Sequence, residues 1–574
     1  MCAAPAVIPI HVLPLPTFYE EWLAGTLGIA TCAALLVAAW QRGFTVPQTV
    51  LPLFGFLIVL ALQVAFDRVA YAQQATLAML YTLYAMAVAW CGLQLRKSCG
   101  FERAGRVVAT GLLAGGVLSA LLALLQVYAP ASWLASFASP LMNARAYGNL
   151  GQANLFADQL ALAAASLLYL QATGALRKRL AILLGVLLAV GLTLSGSRSV
   201  WLYGAWILGW TIYVQSRTVD PRYRGVAKNI AAALAVLAVL AFVLPPVVLP
   251  DNAQAASESG LERLASFNIG AGRAGSEGLR LYFWRQAWQM FESAPLLGVG
   301  FGHFAWAFLQ QSPSFADFGY SGQERNAHNL VLHLLAETGF AGAVFVVIAL
   351  GLWFWRAARA EPNLERWWVV ATAGVIVLHS MVEYPLWYAN FLGPFALLIG
   401  LGETRDVVSK QGRLVRAALV GVVFLGAAVL GSLFQGVREL RTWVYLLPEE
   451  ALREPTVVAR QMAVMRALQP TLLGPYVDLP FASTIRLNPE NLDAKLAFNN
   501  RVMRFAPIAP VVLRQVVFLT LAGRGDEAKH LLDDAAVIYP GELAPFAADL
   551  DRLAARGLPV TEIAAYLAEK QRKN

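Results

Sequence analysis

Four groups of polar residues stand where the chain is otherwise apolar, and their types suit the handling of a phosphorylated substrate. Arg198 lies in the break Ser195-Gly196-Ser197-Arg198-Ser199 between two apolar runs. A guanidinium there is either a fixed cation for phosphate oxygens, which it can bind bidentately, or a cap for the orphan carbonyls ending the preceding helix. In GLRLYFWRQAWQMF (278–291), Arg280, Trp284 and Trp288 fall on one helix face, with Arg285 turned away. That stripe fits a phosphate headgroup and lipid chain, and equally an amphipathic helix lying at a membrane surface.

ERNAHNLVLHLLAETGF (324–340) places His328 just before an apolar helix, beside Arg325, Asn326, Asn329 and Glu337. An imidazole titrating near neutrality can act there as a general base or hydrogen-bond partner, or it can be structural. His333, five residues on, points elsewhere around the helix. In LHSMVEYPLWYANF (378–391), His379 and Glu383 are spaced i, i+4 near the end of an apolar run. An intramembrane pair of this kind is a functional candidate, with helix packing as the plain alternative. ARAYGNLGQANLFAD (144–158) adds Arg145, Tyr147, Asn149, Gln152 and Asn154. Its amides suit sugar hydroxyls, although a turn followed by a helix start explains its glycines as well.

These groups need elements to hold them, and composition says where the elements lie. Hydrophobic residues make up 58% of the 574 and charged residues 14%, far below the charge of soluble domains. Runs long enough to cross a bilayer occur near 21–40, 48–66, 75–95, 107–129, 153–173, 179–196, 199–215, 229–249, 338–356, 367–384, 388–403 and 417–436. The net charge of +9 comes mainly from short basic loops at 94–106, 174–179, 216–228, 356–366 and 403–416, so it reports orientation and not a nucleic-acid partner. Placing those loops in the cytoplasm puts 130–152, 195–199, the long segment 250–337, the turn 383–388 and everything after 437 on the periplasmic face. The N-terminus then falls on that face too, and Ala3–Pro16 reads as a surface or partly inserted segment.

The expected fold is therefore all-α: a polytopic membrane part of about twelve helices over 1–444, with a large periplasmic loop at 250–337. A small periplasmic helical domain follows at 445–574. Within it, residues 511–540 read as two antiparallel helices joined at Gly523–Gly525, like a tetratricopeptide unit. Cys2, Cys32, Cys91 and Cys99 have no metal-ligand spacing and imply no disulfide framework. The sequence shows no glycine-rich nucleotide loop and no zinc cluster, which disfavours chemistry driven by a soluble nucleotide.

The stretches RAYGNLGQANLFAD, LSGSRS, LRLYFWRQAWQMFESAPLLGVGFGHF, ERNAHNLVLHLLAETG and LHSMVEYPLWYANFLGPFALLIGLGE, spread over 144–402, resemble the O-antigen ligase/polymerase superfamily. The resemblance is to its bacterial protein O-oligosaccharyltransferase (PglL type) branch. It implies a multi-pass enzyme of the bacterial inner membrane with its active site facing the periplasm. The enzyme would move a glycan en bloc from undecaprenyl pyrophosphate to Ser or Thr hydroxyls of exported proteins such as pilin, without metal, nucleotide or other cofactor. On the same resemblance His328 would activate or orient the acceptor hydroxyl, and Arg198 and Arg280 would hold the pyrophosphate. Supporting substrate contacts would fall to Arg145, Tyr147, Asn149, Gln152, Arg285, Asn329, His379 and Glu383. Two neighbouring activities are an O-antigen ligase acting on lipid A core and an O-antigen polymerase. A transporter or flippase predicts inverted repeats, which the two halves lack.

Overall fold

The computed structural model describes all residues except 41–44, 142–144, 245–275, 315–319, 409–411 and 574. The first part of the predicted periplasmic loop, up to residue 275, thus lies outside the described residues. Over its described residues, each of the twelve apolar runs falls on a helix. Eight of the described helices are long and apolar enough to cross a membrane: Phe18–Ala38, Gln48–Ala65, Ala72–Cys99, Phe101–Tyr128, Ala153–Ala172, Arg222–Val243, Leu330–Arg359 and Gly412–Tyr445. The chain is a helical, multi-pass membrane protein. The other four runs make helices shorter than these eight. Lys178–Leu194, Ser199–Gln215 and Leu364–Ser380 have 17 residues each, and Ala389–Leu401 has 13. At 1.5 Å per residue, 17 residues rise about 26 Å, just under the ~30 Å of hydrocarbon.

The chain forms two compact units. The first comprises Met1–Phe54, Leu80–Asn268 and Val346–Gly431. At its centre the short helix Leu364–Ser380 packs against Ala153–Ala172 and Ser199–Gln215, so protein surrounds it. Trp367 and Trp368 are fully buried there. Their indole N–H groups donate to Thr211 Oγ1 at 2.9 Å and Ser166 Oγ at 3.1 Å, as buried tryptophans require.

The loops of this unit pair by type. Thr45–Pro47 and Asp406–Val408 form a two-stranded antiparallel ribbon. Lys97 bridges Thr45 Oγ1 (2.7 Å) and Asp406 beside it, and Arg96 caps the Glu403 carbonyl at 2.7 Å. The basic loops 94–106 and 403–416 therefore meet. Arg217 likewise reaches the carbonyls of Ala358 and Arg359, joining 216–228 to 356–366. The polar turns expected on the opposite face also meet one another, as the site below describes. The N-terminal segment packs on the unit: Cys2 and Ala3 lie against Gly115, and His11 donates to the Asn149 carbonyl at 2.9 Å.

The second unit comprises Gly55–Met79, Ile269–Phe345 and Ser432–Asn574. Its C-terminal part has seven α-helices among the described residues, from Pro455–Leu468 to Thr561–Lys573. The helices Ala509–Leu521 and Gly525–Ile538 pack together across Gly523, whose φ of +75° permits the reversal. Tyr282, Phe283, Met290, Phe304, Phe308 and Ala327 share one hydrophobic core with Val512, Phe518, Leu532 and Leu550. The C-terminal helices and the residues around His328 are thus buried by each other.

Candidate functional site

The second unit builds the loop that carries His328. Asn326 Oδ1 accepts the His328 N–H at 2.8 Å, and Asn329 Oδ1 caps the following helix by accepting the Leu332 N–H at 3.1 Å. Between these two bonds His328 takes left-handed backbone, φ +51°, which costs a non-glycine residue on the order of 1–3 kcal/mol. Ala327, fully buried, anchors the turn through its N–H to His333 Nδ1 at 3.3 Å. The His328 ring remains 19% exposed and stacks on Phe283, with centroids 5.7 Å apart. Its Nε2 lies 3.6 Å from one Glu324 oxygen, and the other oxygen accepts the Tyr320 hydroxyl at 2.6 Å. Burial and the Glu324 carboxylate push the Tyr320 phenol above its ordinary range, so it remains a donor. His333 does point elsewhere: it is buried beside Phe304 and pairs with Glu337 at 3.3 Å.

The loop rests on the segment Leu297–Phe304. Val299 N–H donates to Ala336 O at 2.9 Å, and Gly300 N–H donates to Glu337 O at 3.2 Å. The buried Gln63 amide donates to Leu297 O at 2.6 Å and to Glu337 O at 2.7 Å, and Glu337 Oε1 accepts the Phe304 N–H at 3.0 Å. His303 accepts the Ala70 N–H on Nε2 at 2.8 Å and donates from Nδ1 to Val299 O at 3.2 Å. Burial, aided by Arg504, depresses its pKa to about 4, so the ring is neutral and can play both roles.

Arg280 is half-buried one turn before Phe283 on the helix Ser276–Ser293. Arg285, expected to turn away from the tryptophans, instead lines an open groove of about 600 Å³ with Leu281, Trp284, Trp288, Glu292 and Leu332. The reason is the helix's core face. Tyr282, Phe283, Gln286, Ala287 and Met290 are buried, which leaves 281, 284, 285 and 288 outward. Trp288 Nε1 donates to Glu292 Oε1 at 2.8 Å, which sets the plane of the exposed indole.

The first unit holds a separate polar network centred on Asn154. Its Oδ1 accepts from Arg145 at 2.8 Å and from Ser197 Oγ at 2.9 Å, and its Nδ2 donates to Glu383 Oε1 at 2.8 Å. Gln152 Nε2 reaches the second Glu383 oxygen at 3.4 Å. Arg145 Nε also donates to the Ser195 carbonyl at 2.8 Å, so Arg145 supplies the helix cap weighed for Arg198. Arg198 itself is half-buried at the N-cap of Ser199–Gln215, where the helix dipole favours an anion nearby.

The structure also gives His379, Glu383, Asn149, Tyr147 and Asn329 partners within the protein. The Glu383 N–H donates to the His379 carbonyl at 2.8 Å, but the two side chains have different partners. His379 pairs with Asp158 at 2.9 Å, both fully buried. Asn149 is fully buried, with Oδ1 accepting the Ser139 N–H at 2.8 Å and Nδ2 donating to Phe137 O at 2.9 Å. Tyr147 is buried with its hydroxyl on the Pro140 carbonyl. Both side chains hydrogen-bond within their own loop. Asn329 is likewise a helix cap.

Asp158, Glu324, Tyr320 and Phe283 were not picked out as site residues. Asp158 carried a signal, a carboxylate inside an apolar run, whereas the others become visible only through folding. Among the described residues no cluster of three His, Cys, Asp or Glu side chains is placed to hold a metal.

Residues 183–347 match the family described as O-Antigen ligase, and residues 367–553 match the C-terminal part of a virulence factor membrane-bound polymerase. His328 and its neighbours fall within the first segment, as does Ser197, and Glu383 falls within the second. The middle of the chain is thus similar to the O-antigen ligase family, and its C-terminal third to a membrane-bound polymerase family. The chain is similar to the general O-oligosaccharyltransferase of Acinetobacter baylyi, with 27% identity over 413 residues, 70% of this chain and 69% of that protein.

Proposed function

We propose that this chain is a glycosyltransferase that moves an oligosaccharide en bloc from a lipid-linked pyrophosphate donor to hydroxyl groups of proteins. The finer reading is an undecaprenyl-pyrophosphate donor, Ser or Thr acceptors on exported pilin-like proteins, and twelve helices in a bacterial inner membrane with the chemistry at the periplasmic face. The pairing of basic loops with basic loops and of polar turns with polar turns supports that topology. The C-terminal helices, which include a tetratricopeptide-like pair, support the protein-glycosylating branch.

The observation that carries the catalytic reading is His328: a part-exposed imidazole held at a strained backbone position, next to a carboxylate. His328 takes the proton of the acceptor hydroxyl while that oxygen bonds to the anomeric carbon. The bond from this carbon to the phosphate oxygen breaks, and its electron pair leaves with the pyrophosphate. Arg280, in the same unit as His328, is the cation assigned to the leaving charge, and Arg198 is a separate candidate phosphate contact of the first unit. Because pyrophosphate is already a good leaving group, positioning and electrostatics dominate over covalent chemistry.

Expression in a bacterial host that makes a lipid-linked glycan, has a pilin-type acceptor and lacks its own transferase and ligase tests this reading. Glycosylated pilin in that host is the expected result. Glycan capping of lipid A core without protein glycosylation would make the chain a ligase, the activity named for the family that residues 183–347 match.

A further inference from the structure

The His328 loop is tied to the C-terminal helices by one hydroxyl. Tyr539 follows the helix Gly525–Ile538, and its OH donates to Gln323 Oε1 at 2.9 Å and reaches the Pro507 carbonyl. Gln323 passes the restraint on: its Nε2 donates to Ala305 O at 2.7 Å and to the Glu324 carbonyl at 3.2 Å. Glu324 is the residue whose carboxylate lies 3.6 Å from His328 Nε2. A second tie runs alongside, from Ser312 Oγ to Asp534 O at 3.2 Å. Burial pushes the Tyr539 phenol above its ordinary range, so it stays protonated. Gln323 and Glu324 are only half-buried and Arg325 is exposed, whereas Ala327 sits in the shared core. Tyr320, packed on Tyr282 and Phe283, holds the Glu324 carboxylate, while the Gln323 bonds hold the Glu324 backbone.

We infer that Tyr539 is a positioning residue for glycan transfer. Through Gln323 it holds Glu324, and hence His328, in the geometry that accepts the acceptor proton. This rests on the reading that His328 acts in transfer. It gives the C-terminal helices a role in turnover and not only in presenting acceptors. A misplacement of about 1 Å at a reacting group can cost on the order of a hundredfold in rate, so loss of one restraint on a loop is expected to cost about tenfold.

The test compares the full-length protein with Tyr539→Phe, Gln323→Ala, the double variant, Tyr566→Phe and His328→Ala in a purified transfer assay. Tyr566 is the control, since its hydroxyl lies on Asp533 at 3.0 Å within the C-terminal helices. We expect kcat to fall about tenfold in Tyr539→Phe and in Gln323→Ala. KM for acceptor should stay within about twofold, and the double variant should be no worse than either single change, the non-additivity of a shared path. Tyr566→Phe should match wild type, and Tyr539→Phe should keep its thermal midpoint. Should Tyr539→Phe fold poorly, Gln323→Ala carries the same test from the loop side. A wild-type kcat in both single variants, additive losses, or an equal loss in Tyr566→Phe would overturn the proposal while His328→Ala stays inactive. Full activity in His328→Ala would instead overturn the reading on which it rests.

Discussion

Side chains in this protein are committed to two networks of different character. Around His328 the bonds shape backbone: Asn326 and Asn329 each bind an N–H and leave the imidazole at the surface of the turn. Around Asn154 a single amide joins Arg145, Ser197 and Glu383. Orientation matters there, because the oxygen must face the donors and the NH₂ must face the carboxylate. Asn154→Asp sets two carboxylates against each other, so it should lower transfer more than Asn154→Ala does, and adding Glu383→Gln should restore part of the loss. Rates of the three variants check this; equal loss in Asp and Ala variants would argue against the network. His303 gives a stability prediction. Its pKa is depressed from an ordinary 6.5 to about 4, so the unfolded chain binds the extra proton between those values. The contribution is complete above pH 6.5 and fades as pH falls toward 4, with about 3 kcal/mol at stake. The thermal midpoint in detergent should therefore drop more between pH 7 and pH 4.5 in wild type than in His303→Gln. His328 was legible in the sequence because polar residues crowd just before an apolar run. The His379 pairing was not, since Asp158 comes from a different helix.

Elements explain why glycines recur in the segment that carries the loop. Gly298 and Gly339 have φ of +69° and +63°. A Cβ at Gly298 would lie 2.3 Å from the Glu337 carbonyl carbon, and one at Gly339 would lie 2.3 Å from the Leu296 oxygen. The two backbones touch there, and the helix Leu330–Arg359 breaks its regular dihedrals at Gly339 to allow it. Gly298→Ala or Gly339→Ala should cost more than ~2 kcal/mol, from strain and overlap together. Gly351→Ala, in the same long helix with open space around it, should be neutral or stabilising by up to ~1 kcal/mol. Thermal midpoints of the three variants settle the comparison. Helix positions were read well from hydropathy because apolar length is a direct signal. Ends were read less evenly: Ser199–Gln215 matches its run, whereas Lys178–Leu194 and Leu364–Ser380 stop two and four residues early, at polar turns near the Asn154 network.

At the scale of the molecule, a small membrane-embedded enzyme of this kind must hold a polar reaction centre without burying unpaired charge. The second unit does so by sharing one hydrophobic core between residues 278–336 and the C-terminal helices. That sharing was not legible in the sequence, where the change in composition after Val444 looks like a boundary and amphipathic helices do not name their partners. Deleting 445–574 should therefore expose Tyr282, Phe283 and Phe308, render the 278–340 region protease-sensitive and abolish transfer to every acceptor. Limited proteolysis with a transfer assay checks this; a truncated chain that still glycosylates would show the helices to be an accessory. The central claim is that His328 handles the acceptor proton, and the measurement closest to it is single-turnover transfer by purified wild type and His328→Ala in detergent. The assay uses a lipid-pyrophosphate glycan and a pilin-type acceptor. The account predicts a rate lower by about 10²–10⁴-fold in the variant, with the protein folded and donor still bound. A variant that transfers at the wild-type rate would contradict it.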